Sequence, residues 1–87
     1  MKVMLRYFAA LRESLGPGGP TDWPIPAGEP ATVAGLRTWL AAQSTEHARM
    51  LAAGRAVRVA VDQALVDECA PVPEGAEVAF FPPVTGG

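Results

Sequence analysis

The chain has 87 residues, 49% apolar and 18% charged, which predicts one globular domain whose core is too small for a deep private active site. Its net charge of −2 and the scatter of its basic residues, Lys2, Arg6, Arg12, Arg37, Arg49, Arg55 and Arg58, exclude nucleic acid and an anionic membrane as the main partner, because phosphates are bound by clustered cations. One cysteine, Cys69, excludes an internal disulfide, and with neither a signal-peptide pattern nor an apolar run of spanning length the expected location is cytoplasmic.

The first element is KVMLRYF, residues 2–8. Its alternation predicts a strand with Val3, Leu5 and Tyr7 on one face and Met4, Arg6 and Phe8 on the other. Phe8, Leu11 and Leu15 then fall at helical spacing, which predicts a short helix closed by Gly16. Residues 16–30, GPGGPTDWPIPAGEP, hold nine of the eighteen Gly and Pro residues. They predict a turn region around a short segment, TDWPI, which its prolines confine to a sheet edge.

In ATVAGLRTWLAAQ, Thr32 is the expected N-cap, and Val33, Leu36 and Leu40 share a helical face that Gly35 weakens. Ser44 or Thr45 caps a second helical piece with Met50 and Leu51 inward and Gly54 closing it. AVRVAVD, 56–62, predicts a strand with Val57, Val59 and Val61 opposed to Arg58, and ALV, 64–66, a short strand. PVPEGAE is a turn, and VAFF, 78–81, the final strand. This order predicts an α+β fold, a mixed sheet with helices on one face. Pairing of the first and last strands would place the last near the middle of the sheet.

Ordinary catalytic constellations are missing from the sequence. His47 and Cys69 are the only His and Cys and lie far apart, so no metal site is expected. His47 reads as a solvent-facing helix residue. Cys69 reads as a half-buried thiol, since Asp67 and Glu68 beside it disfavour a thiolate. Asp62 and Asp67 read as solvated turn acids. No Ser-His-Asp or Cys-His set assembles, and GPGG matches neither phosphate-binding glycine pattern.

The C-terminus, FFPPVTGG, carries the remaining chemistry. Pro82 and Pro83 end the strand and favour an extended path. Six residues from Pro82 to Gly87 reach roughly 20 Å when extended, far enough to enter another protein's active site. Gly86 and Gly87 have no Cβ, so the backbone can pass a narrow channel. The reactive group is the terminal carboxylate. Its attack on the α-phosphate of ATP would give an acyl-adenylate, from which sulfur could displace AMP to leave a thiocarboxylate.

EVAFFPPVTGG, together with MKVMLRYFAALRESLG, TVAGLRTWLAAQ and VAVDQALVD, resembles the MoaD family of ubiquitin-like sulfur carriers, the small subunits of molybdopterin synthase. The resemblance implies a β-grasp fold over residues 1–81 with a flexible tail at 82–87. It implies that an E1-like enzyme uses ATP to adenylate Gly87, and that a sulfur donor protein then converts it to the thiocarboxylate. The carrier binds no cofactor itself. Val84, Thr85 and Gly86 form the threaded tail in this reading, and the catalytic side chains lie on the large synthase subunit, which takes sulfur to cyclic pyranopterin monophosphate within a heterotetramer. Phe81 and Leu65 would face that partner, with Phe8 and Arg12 as further contacts. Each has a plainer reading: Phe8 as core, Arg12 as a solvated helix residue, Leu65 and Phe81 as packing. Alternative functions are a carrier for thiamin or tRNA thiolation, and a β-grasp binding module or protein modifier. The proline density of residues 16–30 departs from the family and puts the edge strand in question.

Overall fold

The computed structural model describes residues 1–52 and 54–83. Five strands and three helices follow one another as β1 (Lys2–Tyr7), α1 (Ala9–Leu15), β2 (Gly18–Asp22), α2 (Val33–Ala41), α3 (Thr45–Leu51), β3 (Arg58–Val61), β4 (Ala64–Val66) and β5 (Glu77–Phe81). The sheet order is β2-β1-β5-β3-β4. β1 and β5 run parallel, with Leu5 opposite Val78 and Tyr7 opposite Phe80; the other pairings are antiparallel. The last strand is therefore held on both sides.

The period-two pattern of β1 sorts its residues as the sequence predicts: Val3, Leu5 and Tyr7 are buried, while Lys2, Met4 and Arg6 are exposed. Val59 and Val61 of β3 and Val78 and Phe80 of β5 join the buried set, which packs against Leu11, Val33, Leu36, Leu40 and Leu51 from the helices. One sheet face thus holds the core and the helices. The other carries exposed Met4, Phe8 and Leu65.

The starts of α2 and α3 follow side-chain chemistry. Thr32 Oγ1 accepts from the Gly35 N–H at 3.2 Å, and Ser44 Oγ accepts from the His47 N–H at 3.1 Å, each satisfying a donor the helix leaves open. Gly35 serves packing as well: a Cβ there would sit 3.4 Å from both the Trp23 ring and Thr32 Oγ1. Asp62 and Gln63, with φ of 49° and 71°, form the two-residue turn between β3 and β4 whose twist suits a hairpin.

The edge strand lies three residues earlier than expected, on GGPTD rather than TDWPI. Gly18 makes the closest approach: with φ of +94°, its missing Cβ leaves room for the Leu5 carbonyl. Trp23, instead of lying mid-strand, ends the pairing and is buried at 3% exposure. Its N–H donates to the Met1 carbonyl at 2.8 Å, and the Met1 ammonium donates to its carbonyl at 3.0 Å.

Four further expectations are corrected. Phe8 does not join the helical apolar face; it is the extended N-cap of α1 and stays exposed, because its backbone continues β1 and its N–H donates to Phe80 O at 3.1 Å. β3 starts at Arg58, leaving Val57 before the strand. Cys69 is exposed rather than half-buried, in a turn where Asp67 Oδ1 accepts from its N–H at 2.9 Å. His47 is partly buried, with Nδ1 2.7 Å from Ser44 Oγ.

Candidate functional site

The site is the sheet end from which β5 leaves. Phe80 is fully buried, with its ring 6.0 Å from that of Tyr7, so the strand is anchored one residue before Phe81. Burial pushes the Tyr7 phenol up to about 12, because the phenolate would have to form away from water. Phe81 stands opposite Arg58 of β3. Pro82 lies beside α1 and the segment entering β3, in a groove with Ala10, Leu11, Arg55 and Val57.

Strand register brings three of the expected partner-facing residues onto one surface. Arg6 pairs with Ala79, Ala79 with Ala60, and Ala60 with Leu65, so these four form one row across the helix-free face. Phe81 lies two residues beyond Ala79, and Phe8 two beyond Arg6, so both belong to the next row on that face. Ala60 and Ala79 are 9% and 8% exposed and form a small-residue floor between Leu65, which is 65% exposed, and the aromatic pair. The Arg6 guanidinium lies over the Phe8 ring at 5.6 Å and reaches Glu77 at 3.4 Å. Arg12, on α1, borders the groove that Phe8 also lines. The remaining expected site residues, Val84, Thr85, Gly86 and Gly87, lie outside the described residues.

Sequence reading missed one residue that shapes this end. Arg37 is 7% exposed. Its Nε donates to Leu51 O at 2.6 Å and its terminal nitrogens to Ala52 O at 3.1 Å, Arg55 O at 2.6 Å and Glu68 Oε2 at 3.3 Å. It ties the end of α3, and the segment leading to the Pro82 groove, to α2. The signal was present: Arg37 falls four residues after Val33 and three before Leu40, inside the apolar stripe.

A mixed sheet with its first and last strands parallel at the centre, and helices across one face, defines the ubiquitin-like β-grasp class. The chain belongs to the ThiS family, whose model matches residues 5–87. It is 44% identical over 85 residues to the molybdopterin synthase sulfur carrier subunit of Escherichia coli (strain K12), across 98% of this chain and 99% of that one. Two solved structures from Haloferax volcanii share the fold. The HVO 2177 protein matches with a TM-score of 0.76 and 28% identity, over 100% of this chain and 87% of that one. SAMP1 matches with a TM-score of 0.70 and 21% identity, over 100% of both chains. No helix among the described residues is long and apolar enough to cross a membrane.

Proposed function

We propose that this chain is the sulfur-carrier subunit of a molybdopterin synthase. The observation that carries the reading is the reach of the family match through residue 87, which takes in the Gly-Gly end of a domain whose last strand is clamped between two neighbours. Residues 1–81 are the β-grasp domain and residues 82–87 the delivering tail. The Gly87 carboxylate attacks the α-phosphorus of ATP on an E1-like enzyme and expels pyrophosphate. The outer sulfur of a persulfide on a donor protein then displaces AMP, and a second thiol cleaves the resulting acyl disulfide, taking the donor's sulfur into a disulfide and leaving the thiocarboxylate. Val84, Thr85 and Gly86 thread that group into the large synthase subunit, whose side chains perform the transfer to cyclic pyranopterin monophosphate in a heterotetramer. The carrier itself binds neither ATP nor another cofactor, and works in the cytoplasm.

Phe81, Leu65 and Phe8 provide the surface that docks on the large subunit, with Arg12 at its margin. An apolar surface of this kind, with Leu65 and Phe8 exposed and Phe81 half-buried, next to a tail-bearing strand end, suits a partner that covers both together. The test uses two variants, one lacking Gly87 and one with a residue added after it. Both should fold as the wild type does, yet neither should gain the mass of an O-to-S exchange on incubation with activating enzyme, ATP and a sulfur source. Normal molybdopterin synthesis by either variant would overturn the reading. Lysine conjugates in the same incubation would favour a protein modifier instead.

A further inference from the structure

The seven basic residues divide by location. Lys2, Arg6, Arg37 and Arg49 each have an acidic partner, in Asp22, Glu77, Glu68 and Glu46. Arg12, Arg55 and Arg58 have none among the described residues, and all three are exposed. These three gather at one end of the sheet. Arg58 is in register with Phe81, Arg55 lines the groove that Pro82 enters, and Arg12 lines the groove beside Phe8, whose N–H is bonded to Phe80 O.

Of the acids near this end, Asp67 and Glu68 are engaged elsewhere and Glu13 is not. Val66 pairs with Val59, so Asp67 lies across from Arg58, but its carboxylate accepts from the Cys69 N–H at 2.9 Å. Glu68 is taken by Arg37 at 3.3 Å. Glu13, next to Arg12 on α1, makes no ion pair among the described residues. The opposite end is acid-rich. There Glu74 accepts from the Lys2 N–H at 2.6 Å, and Asp62 accepts from the Glu77 N–H at 3.0 Å. A net charge of −2 thus conceals a domain that is positive around the root of its tail and negative at the far end.

We propose that Arg12, Arg55 and Arg58 form an electropositive collar that steers the tail into a partner whose tail-accepting entrance is rimmed with carboxylates. The proposal rests on the carrier reading, for it assumes that a partner receives the tail. The three residues approach the strand end from different elements: Arg58, in β3, stands beside Phe81, Arg55 lines the Pro82 groove, and Arg12 lies on α1 in the groove beside Phe8. Arg55 and Arg12 line different grooves, a spread that fits several carboxylates set around an opening and not a single phosphate group. Charges in this arrangement act on the encounter rate, and salt screens them.

The experiment measures association of the full chain with a molybdopterin synthase large subunit by stopped flow, from low to high salt. The wild-type rate should fall steeply with salt. An Arg55→Gln/Arg58→Gln variant should associate about tenfold more slowly at low salt, match the wild type at high salt, and dissociate at the wild-type rate. Circular dichroism and the urea midpoint should be unchanged, since both side chains are exposed. A wild-type rate indifferent to salt, a variant with the wild-type salt slope, or no association of the wild type would each overturn the collar. Saturable shifts of the arginine side-chain resonances with inorganic phosphate or ATP would overturn it in favour of a phosphate site. Thiocarboxylate formation is scored separately by mass: its failure refutes the carrier reading, while the association rates, their salt slope and the phosphate titration decide the collar.

Discussion

Arg37 of α2 is bonded to the last carbonyl of α3: its Nε donates to Leu51 O at 2.6 Å. The same guanidinium serves Ala52 O and Arg55 O, so one buried cation closes a helix end and fixes the segment after it. A cation suits that place because the carbonyl end of a helix is negative.

Replacing Arg37 by Met should leave three carbonyls without this donor, at a cost of about 3 kcal/mol in urea unfolding. Glu68→Gln should cost less than about 1 kcal/mol, since that carboxylate is 46% exposed and screened by water. Equal losses from the two variants would contradict the central place given to the carbonyl bonds.

Tyr7 makes stability pH-dependent at the alkaline end. Its hydroxyl is buried and without a partner among the described residues, and its pKa stands at about 12, against about 10 in the unfolded chain. Below pH ~10 both states keep the proton. As pH rises toward about 12 the unfolded chain releases it first, so stability should fall by about 2–3 kcal/mol in all. Tyr7→Phe should remove that slope and leave stability at neutral pH equal or up to ~1 kcal/mol higher. Urea titrations across the alkaline range would show it, and a marked loss of stability in the variant at neutral pH would reveal a hydroxyl partner.

Gly18 and Gly28 separate strain from collision. Both have positive φ, +94° and +86°, but a Cβ on Gly18 meets the Leu5 carbonyl whereas one on Gly28 meets nothing within 4 Å. Gly28→Ala should cost about 1 kcal/mol and Gly18→Ala at least about 2 kcal/mol, with loss of β1–β2 pairing. Amide exchange on Val3 and Leu5 would distinguish them.

Exposed Leu65 allows the proposed docking to be tested apart from folding. Leu65→Asp should leave the urea midpoint within about 0.5 kcal/mol of wild type while weakening binding to the large subunit at least tenfold, about 1.4 kcal/mol. Isothermal titration of the two proteins measures this, and undiminished affinity would remove Leu65 from the interface.

Much of the architecture was legible in the sequence because it rests on local patterns. The alternation of Val3, Leu5 and Tyr7, the caps Thr32 and Ser44, and the stripe of Val33, Leu36 and Leu40 each follow from neighbours in the chain. The misplaced edge strand does not. Its position depends on Gly18 fitting against Leu5 and on Trp23 meeting Met1, contacts between distant residues. Phe8 failed for a related reason: its helical spacing to Leu11 was real, but its backbone belonged to β1. The row of Arg6, Ala79, Ala60 and Leu65 exists only through register across four strands, and the sorting of paired from unpaired arginines only through the fold.

The parallel pairing of β1 with β5 has a mechanical consequence. A pull on the tail relative to the N-terminus would load the rungs between Met4–Glu77 and Tyr7–Phe80 together, in shear, and could not unzip them one at a time. β3 braces the other side of the same strand from Arg58 to Val61. A partner could therefore tug on the terminal residues, bind them and let them go through repeated cycles while the domain behind them resists unravelling.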